Sequence, residues 1–322
     1  MTLDDVFVAR RRIAGLVRRT PLVHSAWLSA ISGGRVYLKL ESLQVTNSFK
    51  ARGAANYARA LVETLPPGAS SPTLVTASAG NHGRAFAWAC RELGLRTIVF
   101  TPRDAARTKL DAIRRLGADL RPDADGYEDS ERLAKEFARE NGLAYVSPYS
   151  HLDIIAGAGT IAVEILEDLP DADTIVVPVG GGGLISGMAV AGRAIRPDME
   201  IVGAEVEASP AFSTALANGR ITEVVVRPTL ADGLAGNMDP DTITFDLVRR
   251  LVARVVVVSE DQLETGIRGL AAEEHLIAEG AGIAGVAAVL SGRADAGGRR
   301  VAIVVSGSNI DAARLARVLG KA

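Results

Sequence analysis

The chain has 322 residues, with 36 lysines and arginines against 38 aspartates and glutamates, and its formal net charge is −2. This length fits two domains or one large α/β domain, and a hydrophobic content of 48% excludes a disordered chain. Near-neutral charge and 4% aromatic residues argue against nucleic-acid binding. The single Cys90 excludes an internal disulfide, and four scattered histidines argue against a histidine-built metal site.

Nothing in the sequence looks like a targeting or membrane segment. The N-terminus carries Asp4, Asp5 and then Arg10 to Arg12, without an apolar region behind a basic start. The apolar stretches are all shorter than the ~18 residues that a membrane-spanning helix needs. We therefore predict a cytoplasmic protein with neither a membrane nor a nucleic-acid partner.

Short runs rich in β-branched residues alternate with amphipathic stretches along the chain. The runs are continuously apolar, which is typical of parallel strands covered on both faces. The predicted strands are 73–76, 97–100, 144–147, 174–179, 200–205, 255–258 and 301–305. The first predicted helix begins near Leu3, and later ones cover 83–93, 105–116, 128–140, 154–168, 185–195, 260–275 and 282–290. This alternation predicts doubly wound α/β architecture.

Two stretches rich in proline, glycine and serine resemble linkers, at 66–72 and 147–150. They bracket a group of strand–helix units in the first half of the chain. We therefore interpret residues 53–147 as a smaller domain inserted into a larger one, which comprises residues 1–52 and 148–322.

Four consecutive glycines, Gly180 to Gly183, follow a predicted strand and open a helix at Leu184. Glycines let the backbone approach an oxyanion, and the N–H groups of a helix start favour a phosphate. A tight turn is the plainer interpretation, but it does not need four glycines. The dinucleotide fingerprint G-x-G-x-x-G/A fails, because Ile185 or Ser186 stands at its last position. A Walker loop and a serine-nucleophile elbow are absent as well.

Three further turns contain residues that could carry chemistry. Ser78-Ala79-Gly80-Asn81-His82-Gly83 and Ser306-Gly307-Ser308-Asn309 each separate a strand from a helix, where ligands bind in open parallel sheets. An ordinary helix N-cap is the alternative for both. In the segment 46–54, Lys50 stands among small and apolar residues, where burial could lower its pKa and free a nucleophilic amine. A solvated surface lysine is the alternative there.

Taken together, these segments resemble the threonine/serine dehydratases of pyridoxal-phosphate fold type II. The motifs occur in the family's order and at similar spacing: Ser48-Phe49-Lys50-Ala51-Arg52-Gly53-Ala54, Ser78 to Gly83, the four glycines, and Ser306 to Asn309. The likeness runs from about Arg10 to Asp311, and the segments 230–233 and 278–282 add to it. It implies an α/β fold of two doubly wound open-sheet domains with pyridoxal 5'-phosphate in the cleft between them. It also implies a homo-oligomer, a dimer or a tetramer.

The resemblance assigns roles to individual residues. Lys50 would hold pyridoxal phosphate as a Schiff base and act as the base at the substrate Cα, and Asn81 would hydrogen-bond the ring hydroxyl. Ser306 would face the pyridine nitrogen. The complete implied cofactor set is Phe49, Lys50, Asn81, Gly180, Gly181, Gly182, Gly183, Leu184, Glu279 and Ser306. The substrate carboxylate would be bound by Ser78, Ala79, Gly80, Asn81 and His82.

The implied reaction is β-elimination of water from a small 3-hydroxy amino acid, L-threonine or L-serine, which yields a 2-oxo acid and ammonia. Because a serine hydroxyl is neutral, Ser306 suits a reaction in which the leaving group departs soon after Cα deprotonation. Racemisation needs a second acid or base opposite Lys50. Racemase-like members place a serine directly before Gly-Asn-His-Gly, and here that position is Ala79.

Departures from the family pattern leave alternatives open. Asn47 stands where a glycine is common, and Gly280-Ala281 stands where many relatives carry Pro-Ser or Pro-Thr. A bulkier 3-hydroxy amino acid is therefore an alternative substrate, and serine racemase is an alternative activity. A nicotinamide-dependent dehydrogenase and a catalytically silent binding protein are alternatives of a different class.

Two further expectations concern a metal ion and regulation. Glu205 matches one ligand of the divalent-cation site of serine racemase-like members, but Ala211 stands at the second position, so we predict no metal site. Only 11 residues follow Asp311, which predicts that no C-terminal regulatory domain is fused to the chain.

Overall fold

In the computed structural model of the chain, which describes residues 1–320, the strands form two separate sheets. The strands are β1 (Leu22–Ser25), β2 (Arg35–Lys39), β3 (Thr73–Ala77), β4 (Arg96–Pro102), β5 (Asp119–Ala124), β6 (Ala144–Tyr145), β7 (Thr174–Pro178), β8 (Glu200–Val206), β9 (Arg254–Val258) and β10 (Arg300–Val304). The larger sheet has the order β1-β2-β10-β7-β8-β9, and the smaller one has the order β5-β4-β3-β6. All neighbours are parallel except β1 and β2, which are antiparallel.

Helices cover the sheets and connect the parallel strands. They are α1 (Leu3–Ile13), α2 (Ala26–Ser32), α3 (Lys50–Thr64), α4 (Asn81–Glu92), α5 (Arg107–Arg114), α6 (Tyr127–Glu140), α7 (Leu152–Asp168), α8 (Gly183–Ile195), α9 (Ala211–Asn218), α10 (Thr244–Leu251), α11 (Glu260–Glu273), α12 (Gly280–Leu290) and α13 (Ala312–Leu319). Among residues 1–320, no helix is both long and apolar enough to cross a lipid bilayer.

The central strands of the larger sheet are buried on both faces. Val176 of β7 and Ile303 of β10 pack on one face with α12. The next residues, Val177 and Val304, pack on the opposite face with α7 and α8. Because alternate side chains point to opposite faces, both faces need apolar residues, which explains the continuous apolar runs. Each such buried side chain contributes about 1.5–3 kcal/mol.

The structure contains every predicted strand and adds three that the sequence analysis misses. The strand β5 has the polar sequence Asp-Leu-Arg-Pro-Asp-Ala and lies at the edge of the smaller sheet, where a proline is tolerated. The strand β1 is a four-residue edge strand. In β2 the apolar run is interrupted because Lys39 is buried within it. These three strands lack the long apolar run on which the prediction depended.

The smaller sheet is built entirely from chain between Thr73 and Tyr145, and the larger sheet takes strands from both sides of that segment. Helix α3 begins beside the first proposed domain boundary and packs against both α4 and α7. The exact division at residues 53 and 147 stays a prediction.

Three motif turns begin where parallel strands end. The strands β3, β7 and β10 end at Ala77, Pro178 and Val304, and the turns that contain Asn81, the four glycines and Ser306 follow directly. The strands β7 and β10 are neighbours in the larger sheet, so their turns lie at the same edge. Ligands bind at the carboxyl ends of strands in such sheets.

Candidate active site

A cavity of about 570 Å³ lies where the turns of the two sheets meet. Every residue to which the resemblance assigns a role in binding cofactor or substrate lines it: Phe49, Lys50, Ser78, Ala79, Gly80, Asn81, His82, Gly180, Gly181, Gly182, Gly183, Leu184, Glu279 and Ser306. The motifs lie far apart in the sequence, so their meeting in one cavity is a property of the fold.

Lys50 is the first residue of α3 and reaches into this cavity. Its Nζ donates a hydrogen bond to the Pro148 carbonyl oxygen at 2.8 Å and lies 5.2 Å from the centre of the Phe49 ring. Among the described residues, no carboxylate pairs with it. Burial lowers the pKa of Lys50 to about 8, because desolvation disfavours the ammonium form. About a tenth of the amine is therefore unprotonated at pH 7, far more than for an ordinary lysine, and the unprotonated form is the nucleophile.

The backbone before Lys50 is fixed by the Ser306 turn. The Phe49 N–H donates to the Ser306 carbonyl oxygen at 3.0 Å, and the Ser308 N–H donates to the Asn47 carbonyl oxygen at 3.0 Å. Asn47 has a φ of 59°, in the left-handed region. Asparagine is one of the few residues that tolerates this region, so it can replace the glycine that is common there. The backbone conformation alone accounts for asparagine at this position, and the bulkier substrate stays an alternative.

The four glycines form a tight cradle at the start of α8. A Cβ added at Gly181 would lie 2.4 Å from Cγ of Tyr149, and one at Gly183 would lie 2.9 Å from the Tyr149 carbonyl oxygen. Gly182 has a φ of 84°, which also favours glycine. Side chains are excluded, and the first N–H groups of α8 have no acceptor within the helix. A phosphate can therefore approach this backbone closely.

The turn Ser78–Gly83 leads from β3 into α4 and is held by its own hydrogen bonds. Ser78 Oγ accepts from the Gly80 N–H at 3.1 Å. His82 Nε2 lies 3.0 Å from Thr76 Oγ1, whose hydroxyl donates to the Val146 carbonyl oxygen, so Nε2 carries the proton. Burial lowers the pKa of His82 well below its usual value, and the ring is neutral. A carboxylate here would bind to backbone N–H groups at the start of α4, and the imidazole would add no positive charge.

Glu279 is buried at the start of α12 and links two motifs. Its N–H donates to the Gly307 carbonyl oxygen at 3.1 Å, and its carboxylate accepts from the Asn81 side-chain amide. Burial raises the pKa of Glu279 to about 7. Ser306 is buried beside it. The predicted placement of these residues around one ligand is consistent with these contacts.

Several residues of the cavity were not found from the sequence. Residues 147–150, interpreted above as a linker, form part of its wall: Pro148 accepts from Lys50 and the Tyr149 ring packs against the glycines. Lys109 of α5 and Asp232 form an ion pair between residues that line the same cavity. The position of 147–150 directly after a strand was the available signal, as it was for the other turns.

The region around Glu205 was considered for a metal ion. Among residues 1–320, no group of three or more histidine, cysteine, aspartate or glutamate side chains is arranged to hold one. The Glu205 carboxylate accepts from the backbone N–H groups of Phe212 and Ser213, at 3.0 and 2.8 Å, in the first turn of α9. Glu205 thus stabilises the start of a helix, and the expected lack of a metal stays a prediction.

Known proteins similar to this chain match it over nearly its whole length. Residues 13–307 match the family model of pyridoxal-phosphate dependent enzymes. An L-threonine ammonia-lyase of Thermotoga maritima is 40% identical over 321 residues, covering 100% of this chain and 79% of the relative. A catabolic L-threonine dehydratase of Escherichia coli is 34% identical, covering 99% and 96%. The structure of maize serine racemase superposes with a TM-score of 0.91 at 32% identity, covering 99% and 97%.

The residues of the cavity suit the cofactor of this family. The aldehyde of pyridoxal phosphate needs an amine that is partly unprotonated, and Lys50 provides it. The phosphate needs exposed backbone N–H groups, and the cradle keeps its close backbone only because a side chain at Gly181 or Gly182 would collide with the Tyr149 or Phe212 ring. With full-length relatives and a family match over most of its length, the chain belongs to the pyridoxal-phosphate-dependent enzymes of fold type II.

Proposed function

We propose that this enzyme is an ammonia-lyase that eliminates water from L-threonine or L-serine and releases a 2-oxo acid and ammonia. The observation that carries the proposal is the position of Lys50, which is part-buried and, among residues 1–320, has no carboxylate partner, in the cavity that also contains the glycine cradle and the Ser78–Gly83 turn. The names of the Thermotoga maritima and Escherichia coli relatives support threonine as a substrate.

Each part of the cavity has a task in this reaction. When bound, pyridoxal phosphate supplies an electron sink for the charge that develops at the substrate Cα. The cradle at Gly180 to Gly183 holds the phosphate, and the start of α4 binds the substrate carboxylate. Lys50 would hold the cofactor, and its amine, once free, would remove the proton from Cα while the 3-hydroxyl leaves as water. Ser306, which is neutral, leaves the pyridine nitrogen without a charged partner.

Racemisation is the competing activity, because maize serine racemase has a very similar fold. A racemase needs an acid or base on each face of the substrate. Ala79 lines the cavity, and its methyl group cannot transfer a proton. We therefore expect elimination to be much faster than racemisation, and Ala79→Ser to increase racemisation.

Measurement of 2-oxo acid release tests the proposal. The protein loaded with pyridoxal phosphate is incubated in deuterated water with L-threonine, L-serine or L-2-aminobutyrate. The residual amino acid is then analysed by chiral chromatography. We expect 2-oxo acid from the first two substrates and none from L-2-aminobutyrate, which lacks a 3-hydroxyl. Formation of D-serine at a rate comparable to pyruvate would favour racemase, and inactivity with both hydroxy amino acids would favour a bulkier substrate.

Two other expectations from the sequence remain proposals. We propose that the enzyme acts in the cytoplasm, as metabolic enzymes of this kind commonly do, and that it forms a homo-oligomer, a dimer or a tetramer. Sedimentation of the purified enzyme measures the second directly.

A further inference from the structure

Asn309 contacts two of the other motif turns, although no role was assigned to it above. Its Nδ2 donates to Asn81 Oδ1 at 2.7 Å and to the Thr46 carbonyl oxygen at 2.9 Å. Its Oδ1 accepts from Arg84 Nη1 at 2.6 Å, and Asn47 Nδ2 approaches the same oxygen at 3.5 Å. Asn309 therefore joins the turn before Lys50 to the turn that contains Asn81.

The direction of these hydrogen bonds is fixed by the groups at the two ends. The Arg84 guanidinium can only donate, so it must contact the Asn309 oxygen, and the Asn309 nitrogen must then face Asn81. At the other end, the Glu279 carboxylate accepts from Asn81 Nδ2. Both ends therefore require the same orientation of the Asn81 amide, with its oxygen toward Asn309 and its nitrogen toward Glu279.

This arrangement determines what Asn81 can offer to a ligand. Its oxygen is engaged by Asn309, and one Nδ2 hydrogen is engaged by Glu279. An amide nitrogen has two hydrogens, and among the described residues the second has no acceptor. Since Asn81 lines the cavity, its unused capacity there is one N–H donor, which suits an oxygen that carries negative charge.

We propose that Asn309 is a positioning residue that, together with Arg84, holds the Asn81 amide so that it presents an N–H group to the ring oxygen of the cofactor. The proposal depends on the cofactor of the family and is independent of which amino acid is the substrate. Without Asn309, the Asn81 amide can rotate and turn its oxygen toward the ligand, where two acceptors would oppose each other.

Asn309→Asp tests this inference with almost no change in shape. The aspartate oxygen that replaces Nδ2 would face Asn81 Oδ1, so the Asn81 amide is expected to rotate. Asn141→Asp is the matched control, because it makes the same substitution at an exposed asparagine outside the cavity, whose side-chain amide donates to the Phe137 carbonyl oxygen. The readouts are the dissociation constant of pyridoxal phosphate, from fluorescence titration, and the position of the visible absorption band at fixed pH.

We expect Asn309→Asp to raise the dissociation constant by about tenfold, which corresponds to the loss of roughly one hydrogen bond to a charged group, and to shift the band. Asn141→Asp should leave both unchanged. Arg84→Met removes the donor that orients Asn309, so it should change the dissociation constant and the absorption band in the same direction as Asn309→Asp. This variant replaces Asn309→Asp in the test if Asn309→Asp does not fold. The inference is overturned if folded Asn309→Asp keeps the native affinity for pyridoxal phosphate and the native absorption band. If Asn309→Asp does not fold, the same result with folded Arg84→Met overturns it. Because neither readout involves turnover, a failed assay for ammonia-lyase activity would not affect this test.

Discussion

Two buried polar clusters lie on opposite sides of the first turn of α3, and they differ in how their charges are compensated. In the paired cluster, defined as Lys39, Glu41, Arg52 and Glu164, two cations face two carboxylates. Arg52 binds Glu41 at 2.8 Å and Glu164 at 2.6 Å, and Lys39 binds Glu164 at 2.6 Å. The catalytic cavity contains the part-buried Lys50 and the buried Glu279, and within residues 1–320 neither has an oppositely charged partner at hydrogen-bonding distance.

The two clusters show that pairing can outweigh burial, as it does for Arg52 and Glu164, although burial still lowers the pKa of the paired Lys39. Burial opposes the charge of Arg52, yet Glu41 and Glu164 outweigh it and raise the pKa of Arg52. Burial also opposes the charge of Glu164, yet the hydrogen bonds and charge of Arg52 lower its pKa. In the cavity burial dominates, and the pKa of Lys50 falls to about 8 while that of Glu279 rises to about 7. Groups that titrate near neutral pH are suited to proton transfer.

Replacement of Lys50 should have the largest effect on the cavity. Lys50→Ala removes both the covalent attachment of the cofactor and the base, so we expect turnover to fall by at least about 10³-fold and the visible band of bound cofactor to change. Absorbance and 2-oxo acid assays measure this. Lys135→Ala, which removes an exposed ion pair with Asp239, should retain full activity. Turnover of Lys50→Ala within tenfold of the native enzyme would contradict the assigned role.

Replacement of Arg52 should have the largest effect on the paired cluster. Arg52→Met leaves the buried Glu41 and Glu164 carboxylates without their main partner, so we expect a loss of about 3–5 kcal/mol in the free energy of unfolding. Arg10→Met removes an exposed ion pair with Glu167 and should cost less than about 1 kcal/mol. Urea unfolding of the two variants makes the comparison. Equal losses would show that burial of the pair has no special effect.

The pH dependence of stability should separate Lys50 from the rest of the protein. The folded pKa of about 8 is below the ordinary value of 10.5, so between these pH values the unfolded chain binds a proton that the folded chain has released. Stability of the cofactor-free protein therefore rises as pH increases through this window, by about 2 kcal/mol from Lys50 after allowance for partial exposure. The difference between native protein and Lys50→Met should show this rise. A pH-independent difference would mean that Lys50 is not desolvated.

A smaller effect is expected from crowding the phosphate cradle. Gly181→Ala places a Cβ 2.4 Å from the Tyr149 ring, which must move, and we expect the dissociation constant of pyridoxal phosphate to rise by about tenfold or more. Gly297→Ala is the control, since Gly297 is exposed outside the cavity and its Cβ would come no closer than 3.4 Å to the Asp295 carboxylate. Fluorescence titration compares the two. Tight cofactor binding by Gly181→Ala would indicate that the phosphate lies elsewhere.

The sequence predicted the parts of the fold and site that depend on local pattern. Parallel strands with two buried faces leave long apolar runs, and the turns after them could be located by their small and polar residues. The cavity wall at Pro148 and the contacts of Asn309 depend on which strands are neighbours in the sheets. Strand order cannot be predicted from a local sequence pattern. The paired cluster was missed for the same reason, since Lys39 and Arg52 look like surface residues until their partners are known.

The most direct test of the account is to identify the lysine that binds the cofactor. The enzyme loaded with pyridoxal phosphate is reduced with borohydride, digested and analysed by peptide mass spectrometry. Because the Lys50 amine lies in the cavity, is desolvated there and has no carboxylate partner among the described residues, we predict one pyridoxyl group, attached to Lys50. Attachment to Lys39, Lys109 or another lysine, with Lys50 unmodified, would contradict the account.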